Sequence, residues 1–171
     1  MIAPVPQDYR GQVLELGAGN GALTLRLAAR CPEARILACE INPALARDVR
    51  RNVAAAGLGD RVRVVADSAE NILSNWSRGE GESPDFVISG IPLGNLPRER
   101  VNSLLDKISA AIQEDGMYIQ FQHSLIDRKK VRAHFPNLRT LPVLWNFPPA
   151  VIYYGRKAVQ PNLAGRRSGL A

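Results

Sequence analysis

The sequence predicts a doubly wound α/β domain. Short apolar runs of strand character alternate with amphipathic runs at helical spacing from residue 12 to residue 121. The first apolar run ends in glycines at alternate positions, 17, 19 and 21, where the chain has to turn from a strand into a helix. Two late strand-like runs flank Asn146-Phe147-Pro148-Pro149, a spacing that suits an antiparallel pair closing one edge of the sheet.

Each element has its own reason. Gln12–Leu16 is a short buried strand. Ala22–Arg30 follows as a helix with Leu23, Leu27 and Ala28 on one face, stopped by Pro32. Residues 35–39 form the second strand. Asn42 caps a second helix with Pro43 in its first turn, Leu45, Val49 and Val53 turned inward, and Gly57 closing it. Residues 61–66 alternate basic and apolar side chains and then become apolar, as a third strand. Residues 70–83 are polar and predict a loop around a short helix, and residues 85–89 predict strand four. Residues 98–114 carry the clearest helical period, through Val101, Leu104, Leu105, Ile108 and Ile112, and Gly116 ends it. Strand five covers residues 117–121 and a short basic helix residues 125–135. Residues 139–145 and 150–154 make the closing pair. From about Val159 the chain is rich in Gly, Arg and Ser, so residues 158–171 are expected to be a disordered basic tail after a single domain at 1–157.

A chain of 171 residues is one domain by length, and 46% apolar with 22% charged residues is an ordinary globular composition. No apolar run approaches the roughly 20 residues of a membrane-spanning helix, and residues 1–10 lack the plan of a signal peptide. Cys31 and Cys39 are too few and too close for a disulfide framework, so both are expected as reduced thiols in a cytoplasmic protein. Two histidines and two cysteines at unsuitable spacings predict no metal site. The net charge of +6 implies an anionic partner, nucleic acid or membrane. It gathers in two clusters, Arg128-Lys129-Lys130 with Arg132, and Arg156-Lys157 with Arg166-Arg167.

The loop Glu15-Leu-Gly-Ala-Gly-Asn-Gly21 has Gly-x-Gly-x-Gly spacing, which is neither the dinucleotide fingerprint nor a P-loop. Glu40 follows at the tip of strand two, where a carboxylate can accept both hydroxyls of a ribose, and Asp67 ends strand three at the same carboxyl edge. This order suits an adenosine-bearing ligand without a pyrophosphate. The glycine amides take its polar tail, Glu40 its ribose and Asp67 its adenine amino group.

With these residues the sequence resembles the class I methyltransferases that use S-adenosylmethionine. Val13-Leu-Glu-Leu-Gly-Ala-Gly-Asn-Gly-Ala-Leu-Thr24 looks like their first motif and Ala38-Cys-Glu-Ile-Asn-Pro43 like their second. The resemblance covers residues 12 to about 157. It implies a Rossmann-like, seven-stranded, mostly parallel sheet with an antiparallel last strand. It also implies cofactor contacts from Glu15, Gly17, Ala18, Gly19, Asn20, Gly21, Glu40, Ile41, Asn42, Asp67, Ser68 and Ser89.

The loop after strand four should choose the acceptor. The ribosomal RNA adenine methyltransferases, which the first two motifs also resemble, carry there Asn or Asp, then two residues including proline, then Tyr or Phe. That ring stacks on the base, a contact worth about 1–3 kcal/mol. This chain has Gly90-Ile91-Pro92-Leu93 instead, with neither the polar acceptor nor the ring. Ser89-Gly90-Ile91-Pro92-Leu93 with Pro97, Tyr118-Ile-Gln-Phe121 and Asn146-Phe147-Pro148-Pro149-Ala150-Val151 resemble segments of the bacterial phospholipid N-methyltransferases. That family converts phosphatidylethanolamine stepwise toward phosphatidylcholine.

This resemblance implies an amine acceptor held by the Gly90 and Ile91 carbonyls beside Pro92, by Asn95 and by Asn146, with His123 as a candidate proton acceptor. It also implies a peripheral, monomeric protein on an anionic membrane surface, touching headgroups through the basic residues of 128–132. Helical segments usual before strand one in that family are expected to be absent, since only residues 1–11 precede it. RNA methylation, and a cofactor-binding fold without catalysis, are the alternative readings.

Overall fold

A computed structural model of the chain describes residues 1–76, 82–143 and 149–157. Seven strands form one sheet: β1 (Gln12–Leu16), β2 (Arg35–Glu40), β3 (Val62–Ala66), β4 (Phe86–Ser89), β5 (Met117–Gln122), β6 (Asn137–Val143) and β7 (Ala150–Arg156). Their order is β3-β2-β1-β4-β5-β7-β6. The first five run parallel, and β7 pairs antiparallel with both β5 and β6. This is the seven-stranded, Rossmann-like arrangement with a reversed edge that the sequence predicts. The end of the expected strand 139–145, the Asn146 turn and the tail 158–171 lie outside the described residues.

The helices are α1 (Ala22–Arg30), α2 (Pro43–Ala55), α3 (Ala69–Trp76), α4 (Arg98–Ala111) and α5 (Arg128–His134). Because strand side chains alternate, β1 sends Val13 to the core under α1 and α2 and Leu14 and Leu16 to the core under α3, α4 and α5. Both faces are covered, which explains the near-continuous apolar strands. The period read in α4 is realised: Val101, Leu104, Leu105, Ile108 and Ile112 are all buried. A buried leucine of this kind is worth about 1.5–3 kcal/mol of transfer free energy. Asn42 caps α2 by accepting from the amides of Ala44 (2.9 Å) and Leu45 (3.4 Å), and Pro43 opens the helix.

The helix stops before the expected residue 114: α4 ends at Ala111, Ile112 is already extended (φ −74°, ψ 142°), and Gly116 closes the turn that follows. Asp115, not Gly116, takes the left-handed conformation (φ 62°), which a short polar side chain tolerates. Gly116 is required for space: a Cβ there would lie 2.7 Å from Cγ1 of Ile112 and 2.8 Å from the Gln113 carbonyl oxygen.

The chain passes from β1 outward to β3 and then returns to place β4 on the other side of β1. At such a switch point the loops leaving two neighbouring carboxyl ends diverge and open a crevice. Here those loops begin at Gly17 and Gly90.

Candidate active site

The glycine loop is tied to β2, since the amides of Gly17 and Ala18 both donate to the Cys39 carbonyl (2.9 and 3.0 Å). Gly17 has φ 78°, and a Cβ on it would lie 3.1 Å from Cγ1 of Ile91. Gly19 has φ 57° and nothing within 4 Å of its Cβ direction, so this part of the loop faces open space. Gly21 caps α1 without a side chain, and Asn20 Oδ1 compensates by accepting from the Ala22 amide at 3.1 Å.

Glu40, 7% exposed, braces the loop. Its Oε2 accepts from the Gly19 amide at 2.8 Å and its Oε1 from the Asn42 amide at 2.9 Å. Each oxygen keeps a further lone pair. Ile41 beside it is a large apolar side chain left 65% exposed. Asp67 Oδ1 accepts from the Ser68 amide (2.7 Å) and from Asn71 Nδ2 (2.8 Å), while the Ser68 hydroxyl accepts from the Asn71 amide and so caps α3. The Cys39 thiol donates to the Asp67 carbonyl at 3.1 Å. Burial first, then the charges of Asp67, Glu40 and Glu70, push its pKa up to about 12, so it stays a thiol.

Glu15 is the buried carboxylate of β1, pointing beneath α1. It is 1% exposed, and the Thr24 hydroxyl donates to its Oε2 at 2.6 Å. Its Oε1 is buried with no partner among the described residues. Burial pushes the Glu15 pKa up to about 7; the charge of Glu40 adds to this and the Thr24 hydrogen bond opposes it.

On the acceptor side, the Gly90 amide donates to the Leu16 carbonyl at 2.9 Å. A Cβ on Gly90 would come within 3.1 Å of the Gly17 carbonyl oxygen, so the two crevice loops touch at their glycines. The Ser89 hydroxyl accepts from the Ile91 amide at 3.2 Å. The Ile91 carbonyl, one of the expected amine acceptors, is already held by two amides, Gln120 Nε2 at 3.0 Å and Gln122 Nε2 at 3.1 Å. Gln120 also donates to the Phe121 carbonyl and accepts from the Tyr118 hydroxyl. This clamp fills both lone pairs of the Ile91 carbonyl and leaves the Gly90 carbonyl for an incoming group; no described side chain donates to it. Leu93, in the position where a ring would stack, is fully buried in the core, and the turn Leu93–Asn95 hangs from it.

One cavity of about 400 Å³ collects these pieces. Of the predicted residues, Gly17, Gly19, Glu40, Ile41, Asp67, Gly90, Ile91 and Pro92 line it. Glu15, Ala18, Asn20, Gly21, Asn42, Ser68 and Ser89 do not line it; Asn20 and Asn42 are exposed, while Glu15 and Ser89 are buried in their strands. Asn95 is exposed on the turn and does not line the cavity. His123 is exposed just past β5, with Nδ1 3.3 Å from the Pro149 carbonyl and its ring edge-on to Phe121. Asn146 lies outside the described residues. Sequence reasoning missed Glu70 and Arg100, which also line the cavity and form an ion pair of 2.7 Å between α3 and α4. It also missed the role of Gln120 and Gln122; the available signal was two amides at alternate positions of an otherwise apolar buried strand. A second cavity, of about 430 Å³, runs along β2 and β3 beneath Trp76. It shares Asp67 with the first but contains neither crevice loop.

The methyltransferase domain family matches residues 13–116. An ornithine lipid N-methyltransferase of Singulisphaera acidiphila is 29% identical over 157 residues, 91% of this chain and 80% of that protein. A tRNA1(Val) (adenine(37)-N6)-methyltransferase of Porphyromonas gingivalis is 36% identical over 95 residues, 50% of this chain, which spans only 35% of that relative's length. Among solved structures, a SAM-dependent methyltransferase of Agrobacterium tumefaciens shares the fold with a TM-score of 0.69 at 13% identity, covering 91% of this chain and 57% of that one. The family match runs from β1 to just past α4, across the whole crevice-forming half of the sheet. The chain therefore belongs to the methyltransferase domain family and is an S-adenosylmethionine-dependent methyltransferase.

Proposed function

We propose that the chain methylates the amine of a membrane lipid headgroup, with phosphatidylethanolamine as the expected acceptor, and that it works as a cytoplasmic monomer at the membrane surface. The observation that carries this reading is the acceptor floor. Gly90 is exposed and Leu93 is buried, so the loop offers a backbone carbonyl and no ring on which a base could stack. The lipid N-methyltransferase similar over 91% of the chain supports it, and makes an ornithine lipid the second amine to test. No described helix is long and apolar enough to cross a membrane, so contact with lipid would be made from the surface.

The residues present fit S-adenosylmethionine. A cavity of about 400 Å³ is the size of a small-molecule site. Gly19 leaves open space beside it, and Glu15, two residues before the loop begins at Gly17, keeps a buried oxygen with no partner among the described residues. The amides of the glycine loop would hold the polar tail, the free lone pairs of Glu40 the ribose, the exposed Ile41 a face of the adenine, and Asp67 Oδ2 its amino group. The cofactor supplies a methyl group on a sulfonium sulfur for in-line transfer to nitrogen. The protein's part is then positioning.

A primary ammonium has a pKa near 10 and must lose a proton before its nitrogen can attack. The Gly90 carbonyl accepts an N–H of the amine and orients it. His123 is exposed just past the end of β5. Its Nδ1 donates to the Pro149 carbonyl in the neutral tautomer, which leaves Nε2 as a proton acceptor. The clamp on the Ile91 carbonyl keeps the floor in place.

RNA methylation is the second reading, favoured by the net charge of +6 and the tRNA-modifying relative. The test is transfer of label from S-adenosylmethionine by the purified chain to three substrates offered separately: vesicles with phosphatidylethanolamine, vesicles with ornithine lipid, and unmodified RNA. Label in either lipid supports the proposal and identifies the headgroup. Label in RNA alone would sink it.

A further inference from the structure

We infer that the loop between β5 and α5, with the exposed face of α5, docks the protein on an anionic bilayer by inserting Leu125 and Ile126 among the headgroups. Leu125 is 58% and Ile126 79% exposed. They stand next to each other, whereas the other two large apolar side chains exposed among the described residues are isolated. Ile41 lines the cavity, and Leu141 lies on β6.

The tip is held in shape. The Ser124 hydroxyl accepts from the Ile126 amide at 3.2 Å, and the Ser124 carbonyl accepts from the Tyr153 hydroxyl at 2.9 Å. Asp127 is 1% exposed and its Oδ1 is paired with Lys130 at 2.7 Å, so the acid next to the tip is neutralised inside the protein. Arg128, Lys129 and Arg132 are exposed, and among the described residues no acidic side chain forms an ion pair with them. Lys129 and Arg132, three apart on α5, share a face.

An apolar tip beside unpaired cations is the chemistry of an interfacial anchor for negatively charged lipid. A single-stranded nucleic acid would call for aromatic side chains among the cations, and this patch has none. Behind the patch, the buried Asp127 meets the turn that follows the acceptor floor: its Oδ2 lies 3.7 Å from the position a Cβ on Gly94 would take. Docking would therefore bring the mouth of the crevice to the headgroup layer. That consequence rests on the lipid-amine reading, but the docking itself does not.

The experiment is co-sedimentation of the whole chain with vesicles of phosphatidylcholine alone, or of phosphatidylcholine with phosphatidylglycerol, which is anionic and carries no amine. Wild type is expected to favour the anionic vesicles at least about tenfold and to lose that preference in about 0.5 M salt. Lys129→Glu with Arg132→Glu should lower the partition roughly 30-fold or more, at about one surface charge contact each. Leu125→Ser with Ile126→Ser should lower it by about tenfold or more. Both double variants change exposed side chains only, so melting temperature and S-adenosylmethionine affinity are expected to stay at wild-type values. Equal binding to both vesicle types, or double variants that sediment like wild type, would overturn the proposal. So would binding to a single-stranded RNA oligonucleotide that the charge variant abolishes while vesicles are ignored. Because these vesicles hold no amine, docking can succeed where lipid methylation fails. Transfer to a detergent-dispersed amine lipid without vesicle binding would refute docking alone.

Discussion

Glu15 should make the ligand-free protein lose stability as pH rises toward neutrality. The perturbation is Glu15→Gln, which is isosteric with the protonated acid, can keep the Thr24 hydrogen bond, and cannot ionise. In the folded protein burial, assisted by the charge of Glu40, raises the pKa of Glu15 from 4.5 to about 7. Below the unfolded value both states hold the proton and the group has no effect. Between the two values the unfolded chain releases it and the folded chain keeps it, so stability falls as pH rises. Above the folded value both states are ionised and the loss is constant. A difference of about 2.5 pKa units at about 1.4 kcal/mol each gives a loss of about 3 kcal/mol. Urea denaturation from pH 5 to pH 8 measures it. The variant's advantage over wild type should be small at pH 5 and grow to about 3 kcal/mol at pH 8. An advantage that does not change with pH, or a wild type that gains on the variant as pH rises, would refute the reasoning.

Three further outcomes follow from the hydrogen bonds of the site. Gln120→Leu takes one of two partners, the acceptor, from the buried Tyr118 hydroxyl, which keeps Ser89, and removes one of two donors from the Ile91 carbonyl. It should cost about 2–4 kcal/mol in denaturant titration, and at permissive temperature it should lower kcat more than it weakens cofactor binding. Glu40→Ala frees the Gly19 and Asn42 amides and takes away the carboxylate proposed to accept from the ribose. Calorimetry should show S-adenosylmethionine affinity falling by at least about tenfold, at about 1.5–3 kcal/mol for each bond to a charged group. Asn42→Ala removes only the cap of α2, so thermal unfolding should register about 1 kcal/mol, with little change in the pH dependence described for Glu15.

What the sequence made legible was whatever depends on near neighbours in the chain. The period of α4, the Asn42-Pro43 start of α2 and the glycine turn after β1 are local signals, and the structure places each as expected. The closing pair was readable because two strand-like runs lay close together, although its connecting turn falls outside the described residues. α3 was only half legible, since residues 70–83 mix polar and apolar side chains and its burial comes from Ile72 and Leu73 packing on distant strands. The site divided the same way. Glu40 and Gly19 are linked across one βαβ unit whose spacing is a known pattern. Glu70 meets Arg100 across thirty residues, and Gln122 meets Ile91 across thirty-one, so neither pairing leaves a periodic trace. The partnerless oxygen of Glu15 had no signature either, because a lone acid in a strand does not reveal which of its oxygens will find a donor.

The double clamp on the Ile91 carbonyl has a consequence for how the molecule divides its labour. The family match ends at residue 116, one residue before β5 begins. Under the proposed reading, every residue that would hold the cofactor lies before that boundary. Both amides that fix the acceptor floor, Gln120 and Gln122, come after it. On that reading, the first part of the chain holds the methyl donor and also carries the acceptor floor, Gly90 to Leu93, while β5 supplies the amides that lock that floor in place. A chimera joined at Gly116 should keep its cofactor affinity, and should keep methyl transfer only where the incoming β5 supplies amides at positions 120 and 122.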